Sequence, residues 1–300
     1  MQDTQTAIRP RFTTHRAVVT RKREIGPHFV RVTFGELRDY DCVGIAPKVK
    51  IFLPDDADHS AAARELTIPT VGVHGFEYPD DAPKPIVRTY TIRAHRRELC
   101  EVDIDFVVHS DGPAGRWVTN AVPGDVVGLT NAAGNQPLPE LARSLLLLGD
   151  VSALPAIMTI LESLTTDQEA ITLLITDSPE NEIPLEAAAD GRARWIHGSD
   201  EETMIEELRQ ALSAHQPDYV WAAGEAGSLR GVRHLLRLDI GYSPMNSHIV
   251  GYWKRKADAD EVADDVFARM HAAVAEGRNL TPQELDELTV DDVEFLSTKP

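Results

Sequence analysis

Cysteine is nearly absent: Cys42 and Cys100 are the two in 300 residues. They lie far apart with no CxxC spacing, so the chain offers no cysteine set for zinc or an iron–sulfur cluster and no disulfide framework. Two buried free thiols are the ordinary expectation. Long apolar runs are missing too. None approaches the roughly 20 residues of a membrane-spanning helix, and the opening MQDTQTAIRPRF carries no apolar stretch of a secretory signal. Cytoplasm is therefore the expected compartment, with no membrane insertion. Positive charge is in short supply: 30 Lys and Arg stand against 48 Asp and Glu, for a net charge of −18. Such a surface repels phosphate backbones, which excludes broad binding of nucleic acid. A glycine-rich dinucleotide loop and an obvious acid–base dyad are lacking as well.

What remains is an ordinary soluble composition, 42% hydrophobic and 26% charged, in a chain long enough for two domains. Basic residues gather locally at 16–23, 93–97 and 254–256. Residues 17–20, 29–34, 48–53, 87–92, 102–108 and 125–129 are short β-branched or alternating runs separated by turn residues such as Gly26-Pro27 and Pro123-Gly124-Asp125. This spacing predicts an antiparallel β-barrel over 14–139, with a Pro-, Gly- and Asp-rich excursion at 55–85. After Pro139 the pattern changes. Apolar strands at 144–148, 170–176, 195–197, 219–223 and 248–252 alternate with helices at 154–164, 201–214 and 227–238. Strands buried on both faces and separated by helices predict a parallel-sheet nucleotide-binding α/β domain over 140–256. An acidic extension follows at 257–300. Val262, Val266, Met270 and Val274 there are spaced as one helical face, and Thr281-Pro282-Gln283-Glu284 announces a second helix.

Two short motifs carry chemistry. In VRTYTIR, Arg88 and Tyr90 point to one face of a strand and Thr91 to the other. One strand later comes HSDGPAGRWV, residues 109–118. A Gly-Pro turn leading into a helix presents unpaired backbone N–H groups, which suit an anion such as a pyrophosphate. Taken singly, each motif also fits a plain surface strand or an ordinary strand–turn–helix connection.

Together with PGDVVGL, LLLGDVSALPAI, WAAGEAGSLRGVRHLL and GYWKRK, these blocks resemble, in order, those of the siderophore-interacting proteins of the ferredoxin-reductase-like flavoprotein superfamily. The resemblance covers about residues 14–256. It implies FAD on the barrel, held by Arg88, Tyr90 and Thr91, with His109, Gly112, Pro113 and Ala114 at the pyrophosphate. Gly115 stands where the family usually has Ser or Thr, so one hydroxyl to the phosphate is lost. Asp150, Ser152 and Ala153 match the turn after the first strand of the second domain, and Gly224, Glu225 and Ala226 the turn after a later strand. Both lie at the carboxyl edge of the sheet, where α/β folds bind ligands. Trp253 is expected against the cofactor cleft, a core position being the other reading.

The resemblance also implies a ferric siderophore as substrate, drawn in by positive charge. Lys50 matches a basic family position; Lys48, Arg233, His234, Lys254 and Arg255 are further candidates. An arginine that some relatives carry near 131–136 is absent, and Ala132-Ala133-Gly134 stands there instead. The implied reaction passes a hydride from NADH or NADPH to FAD, then single electrons to Fe(III), which siderophore oxygens hold far better than Fe(II). The acidic loop Asp177-Ser178-Pro179-Glu180-Asn181-Glu182 favours NADH, since it repels a 2′-phosphate. Two alternatives stay open: a reduced ferredoxin as donor, and a carrier that binds flavin or siderophore without turnover. No protein metal site is called for, and the oligomeric state is left open.

Overall fold

A computed structural model describes residues 13–54, 66–72, 75–108, 112–133, 138–139, 141–183, 193–198 and 201–254. The chain divides into two compact units, Met1–Ile25 with Phe29–Asn135, and Gly26–His28 with Gln136–Pro300.

The first unit is built from β1 (Thr14–Gly26), β2 (Phe29–Gly35), β3 (Cys42–Val43), β4 (Lys48–Leu53), β5 (Thr70–Gly72), β6 (Gly75–Glu77), β7 (Ile86–Arg96), β8 (Glu101–Val107), α1 (Pro113–Asn120), β9 (Val126–Thr130) and β10 (Ala132–Ala133). Strands β4, β7, β8, β2, β1 and β9 pair in that order, and β9 pairs back onto β4, closing a six-stranded antiparallel barrel. Closure removes the free strand edges that an open sheet would expose. The sequence alternates accordingly. On β8, Val102, Ile104 and Phe106 enter the core, while Asp103 and Asp105 lie on the other face with Arg31 and Thr33 of β2 directly across from them. Arg31 grips Asp105 through two bonds of 2.6 and 2.7 Å, and Arg96 of β7 grips Asp103 through two of 2.7 Å. These arginine stems shelter the carboxylates.

The excursion expected at 55–85 holds, in its described part, the small antiparallel ribbon β5–β6, whose Phe76 packs edge-on against Phe52 of β4 with ring centroids 5.0 Å apart. Helix α1 covers the barrel core with Ala114, Trp117 and Val118. Lys22 of β1 donates to the carbonyls of Thr119 (2.7 Å) and Ala121 (3.3 Å), a cation at the helix C-terminus where the backbone dipole favours one.

The second unit comprises β11 (Ser144–Asp150), α2 (Leu154–Ser163), β12 (Glu169–Thr176), β13 (Ala193–His197), α3 (Glu201–His215), β14 (Tyr219–Glu225), α4 (Ala226–His234) and β15 (Ser247–Trp253). Its sheet runs β13-β12-β11-β14-β15, every pairing parallel. Both faces are covered, which is why Leu145–Leu148 reads as one unbroken apolar run and is fully buried. Helix α3 turns Met204, Leu208, Ala211 and Leu212 inward at helical spacing. The single helix expected at 227–238 divides: α4 ends at His234 and a π-helical turn, Leu235–Ile240, carries the chain to Gly241 in the left-handed region. The strand order reverses between β11 and β14, so the switch point of the sheet lies at the ends of those two strands. The helical extension expected at 257–300 lies outside the described residues.

Candidate functional site

On the barrel, the β4–β7 register fixes which groups share a face. Lys48 stands across from Thr91, Val49 from Tyr90, Lys50 from Thr89 and Ile51 from Arg88. Residues directly opposite in an antiparallel pair share a side of the sheet. Arg88 and Tyr90 thus lie on the side of the core residues Val49 and Ile51, while Thr91 shares the other side with both lysines. Tyr90 borders the core with its ring centroid 4.5 Å from that of Phe106, which is 5.8 Å from Trp117 of α1. This aromatic chain joins the two sequence motifs. Burial pushes the Tyr90 phenol well up, so it stays neutral.

Arg88 is half-buried and donates to the Val87 carbonyl at 2.8 Å. Lys50 Nζ donates to Thr89 Oγ1 at 3.3 Å. Desolvation lowers both Lys48 and Lys50 to about 8, with repulsion from Lys50 adding to the effect at Lys48.

The α1 N-terminus has Gly112 at the N-cap, which supplies no side chain to the helix, and Pro113 in the first turn. A Cβ at Gly112 would meet nothing within 4 Å. The approach to the first-turn N–H groups of Ala114 and Gly115 is thus clear on that side. An open, uncapped helix start beside a strand bearing an arginine has the donor set that a dinucleotide pyrophosphate needs, so these residues fit FAD. His109 lies outside the described residues.

In the second unit, three strand ends meet on one carboxylate. Asp150, closing β11, accepts from Ser152 N (2.8 Å) and Ser152 Oγ (2.5 Å) on Oδ1, and from Glu225 N (2.9 Å) and Trp253 Nε1 (2.7 Å) on Oδ2. Burial raises its pKa, and these four bonds oppose the rise. Trp253 is no core residue: it is 41% exposed. Glu225 is buried and caps α4, its Oε2 accepting from Ser228 N at 2.7 Å. Ala153 and Ala226 are fully buried at the starts of α2 and α4.

Gly224 has φ +154°, and a Cβ there would sit 2.8 Å from Asp150 Oδ2. Gly224→Ala is therefore expected to destabilise the protein by about 2–4 kcal/mol through left-handed strain and the collision with Asp150. Urea unfolding measures this, and a loss below about 1 kcal/mol would refute the packing argument.

The remaining candidates are dispersed. Arg233 and His234 lie on α4, where His234 is 3.8 Å from Asp239; Lys254 follows β15, and Arg255 is outside the described residues. Among the described residues no group of three or more His, Cys, Asp or Glu could hold a metal ion, and no helix is long and apolar enough to cross a membrane. Sequence reading passed over two contributors: Trp117, which ties α1 to the Tyr90 strand, and Lys22, which holds the other end of α1. The run GRW marked Trp117; the basic cluster 16–23 contains Lys22 but does not point to α1.

A closed antiparallel barrel followed by this five-stranded parallel sheet defines the ferredoxin-reductase-like class. A ferredoxin NADP+ reductase from Neisseria gonorrhoeae shares the fold at 14% identity, with a TM-score of 0.56 and coverage of 80% of this chain and 99% of that one. Within that class, residues 18–136 match the siderophore-interacting FAD-binding domain and residues 142–256 the siderophore-interacting protein domain, and the chain belongs to the siderophore-interacting protein family. It is similar to the ferric vibriobactin reductase ViuB of Vibrio cholerae, 29% identical over 247 residues covering 78% of this chain and 87% of the relative. It is also similar to a siderophore utilization protein from T. fusca, 29% identical with a TM-score of 0.69, covering 82% of this chain and 94% of that one.

Proposed function

We propose that the chain is an FAD-dependent ferric-siderophore reductase that takes its electrons from NADH and works in the cytoplasm. The observation that carries this reading is the β4–β7 register, which sets two lysines on the same side of the barrel wall as the Thr91 hydroxyl. FAD, when bound, supplies the conversion of a two-electron donor into one-electron steps. The chain's own residues do the rest. Arg88 and the Ala114 and Gly115 N–H groups oppose phosphate charge, and the Tyr90 ring and Thr91 hydroxyl orient the cofactor. Lys48 and Lys50 attract the anionic, oxygen-rich face of a ferric siderophore. Reduction itself weakens the siderophore's hold on iron, and the one proton left over when NADH reduces two Fe(III) can pass to water. The name of the Vibrio relative supports this reading.

The test is anaerobic. Purified holoprotein should bleach on adding NADH, then reoxidise and release Fe(II), trapped by ferrozine, when a ferric hydroxamate or catecholate is added. Bound flavin that neither nicotinamide bleaches would transfer the case to a ferredoxin donor. Bleaching without iron-dependent reoxidation would end the reductase reading.

The choice of NADH rests on the end of β12, where Asp177, Glu180 and Glu182 follow the strand. Asp177 Oδ1 accepts from Asn181 Nδ2 at 3.2 Å, and Glu182 lies 2.9 Å from His197, so acidic side chains stand where an NADPH enzyme would use arginine. At ~0.5 kcal/mol per exposed charge, Asp177→Asn with Glu180→Gln is expected to narrow the NADH-over-NADPH preference about fivefold. Stopped-flow reduction with both cofactors measures it. Wild-type protein reduced faster by NADPH would refute the assignment.

A further inference from the structure

Trp253 occupies an unusual position for an exposed tryptophan. It ends β15, the edge strand of the sheet, and an indole there would ordinarily turn freely about its side-chain bonds. Here its Nε1–H donates to Asp150 Oδ2 at 2.7 Å. Asp150 belongs to β11, and β14 lies between the two strands. The indole therefore reaches across the end of β14 to make this bond. Two features of β14 permit the crossing. Gly224 has no Cβ to stand between the strand end and Asp150. The β14–β15 register also shifts between Gly224 and Glu225, so that Glu225 pairs with Trp253 rather than with its neighbour Tyr252. A register shift of this kind re-aims the side chains that follow it.

The carboxylate is not available to a ligand. All four of its partners are donors, Ser152 N and Oγ on one oxygen, Glu225 N and Trp253 Nε1 on the other. A free acid at this switch point would repel a pyrophosphate. A carboxylate engaged on both oxygens instead fixes what surrounds it. What it fixes on the solvent side is a flat aromatic ring, 41% exposed, at the edge where parallel α/β sheets bind their ligands.

We propose that Asp150 is a positioning residue, which latches the Trp253 indole across the carboxyl end of β14 as a preset wall for the planar ring of a nicotinamide dinucleotide. The ligand rests on the function proposed above; the latch rests on geometry alone. Holding the ring before the ligand arrives removes the cost of ordering it on binding.

The experiment uses oxidised holoprotein, NAD+ as the probe, and indole 15N labelling, with the Trp253 resonance assigned by its loss in Trp253→Phe. In the wild type the Trp253 indole proton is expected to exchange slowly despite the exposure of the ring. Asp150→Asn turns an amide donor towards one of the existing donors, and the exchange should then accelerate at least tenfold. Affinity for NAD+ should fall about tenfold in both Asp150→Asn and Trp253→Phe, and no further in the double variant, because both changes remove the same contact. Trp253→Phe keeps a flat ring but loses the donor, so it tests the latch even if Asp150→Asn does not fold. Its affinity should approach that of Trp253→Ala. Wild-type affinity in Trp253→Phe, unchanged indole exchange in Asp150→Asn, or losses that add in the double variant would each overturn the positioning role while leaving the nicotinamide reading intact. Failure of the wild type to bind NAD+ while the indole stays latched would overturn both the ligand assigned here and the choice of NADH.

Discussion

Lys48→Met with Lys50→Met is expected to lower kcat/KM for an anionic ferric siderophore about 100-fold at pH 7. The estimate takes ~1.5 kcal/mol for each charge-assisted contact, and two such contacts give about 3 kcal/mol at the transition state. Both lysines belong to β4 and lie two residues apart, so they share a side of the wall, and losing one leaves the other to attract the substrate. The single variants should each lose about the square root of the double effect. Reduction of the flavin by NADH should be unchanged in all three. Steady-state kinetics on the iron step, with stopped-flow on the flavin step, separates these effects. A change under about threefold in the double variant would show that the siderophore is held elsewhere.

The same lysines predict a pH profile. Burial lowers both to about 8. They are charged below that pH and neutral above it, so kcat/KM for an anionic complex should decline as pH rises from 7 to 9 and flatten in the double variant. Salt should weaken the wild type more than the variant. The stability effect has the opposite sense. Between about 8 and the ordinary value of 10.5 the unfolded chain binds more protons than the folded one, so these two groups make the fold more stable as pH rises through that window. Activity and stability should therefore diverge above pH 8.

Most barrel strands were legible because one face of each is buried, although β1, expected at 17–20, runs from Thr14 to Gly26. Alternation on β8, with Val, Ile and Phe between acids, places its strand to within a residue, and 48–53 matches β4 at both ends. The five parallel strands were legible for the opposite reason, as short apolar runs between helices. The two-residue strands β3 and β10 are too short for any period to register. The candidate site was legible only as a set of residue types. Which residue faces which across β4 and β7 depends on register, and that Thr91 would meet Lys48 follows from no local pattern. The Asp150 cluster was still less accessible. Its partners Glu225 and Trp253 stand 75 and 103 residues away, brought in by a strand order that reverses at β11. A motif match identified Asp150 but not what its carboxylate does.

Arg31→Met is expected to cost the first unit about 3–5 kcal/mol, the range for breaking a buried ion pair from one side. The Asp105 side chain is 2% exposed and that of Arg31 19%, and the two share parallel bonds directly across the β2–β8 pair. Methionine fills much of the arginine's volume, so the loss comes from the stranded carboxylate and not from a cavity. That separates two explanations. If the charge is the cause, Arg31→Met with Asp105→Leu should recover most of the stability, because removing both members leaves an apolar pair on a sheltered barrel face. If packing by the arginine stem is the cause, the double variant should remain as weak as the single. Urea unfolding of the single and double variants decides it, and a single-variant loss below about 1 kcal/mol would show that water reaches Asp105. The ion-pair ladder that continues through Asp103 and Arg96 makes the first outcome the expected one. These carboxylates stay paired on the β2–β8 wall, whose opposite face carries Val30, Val32, Phe34, Val102, Ile104 and Phe106.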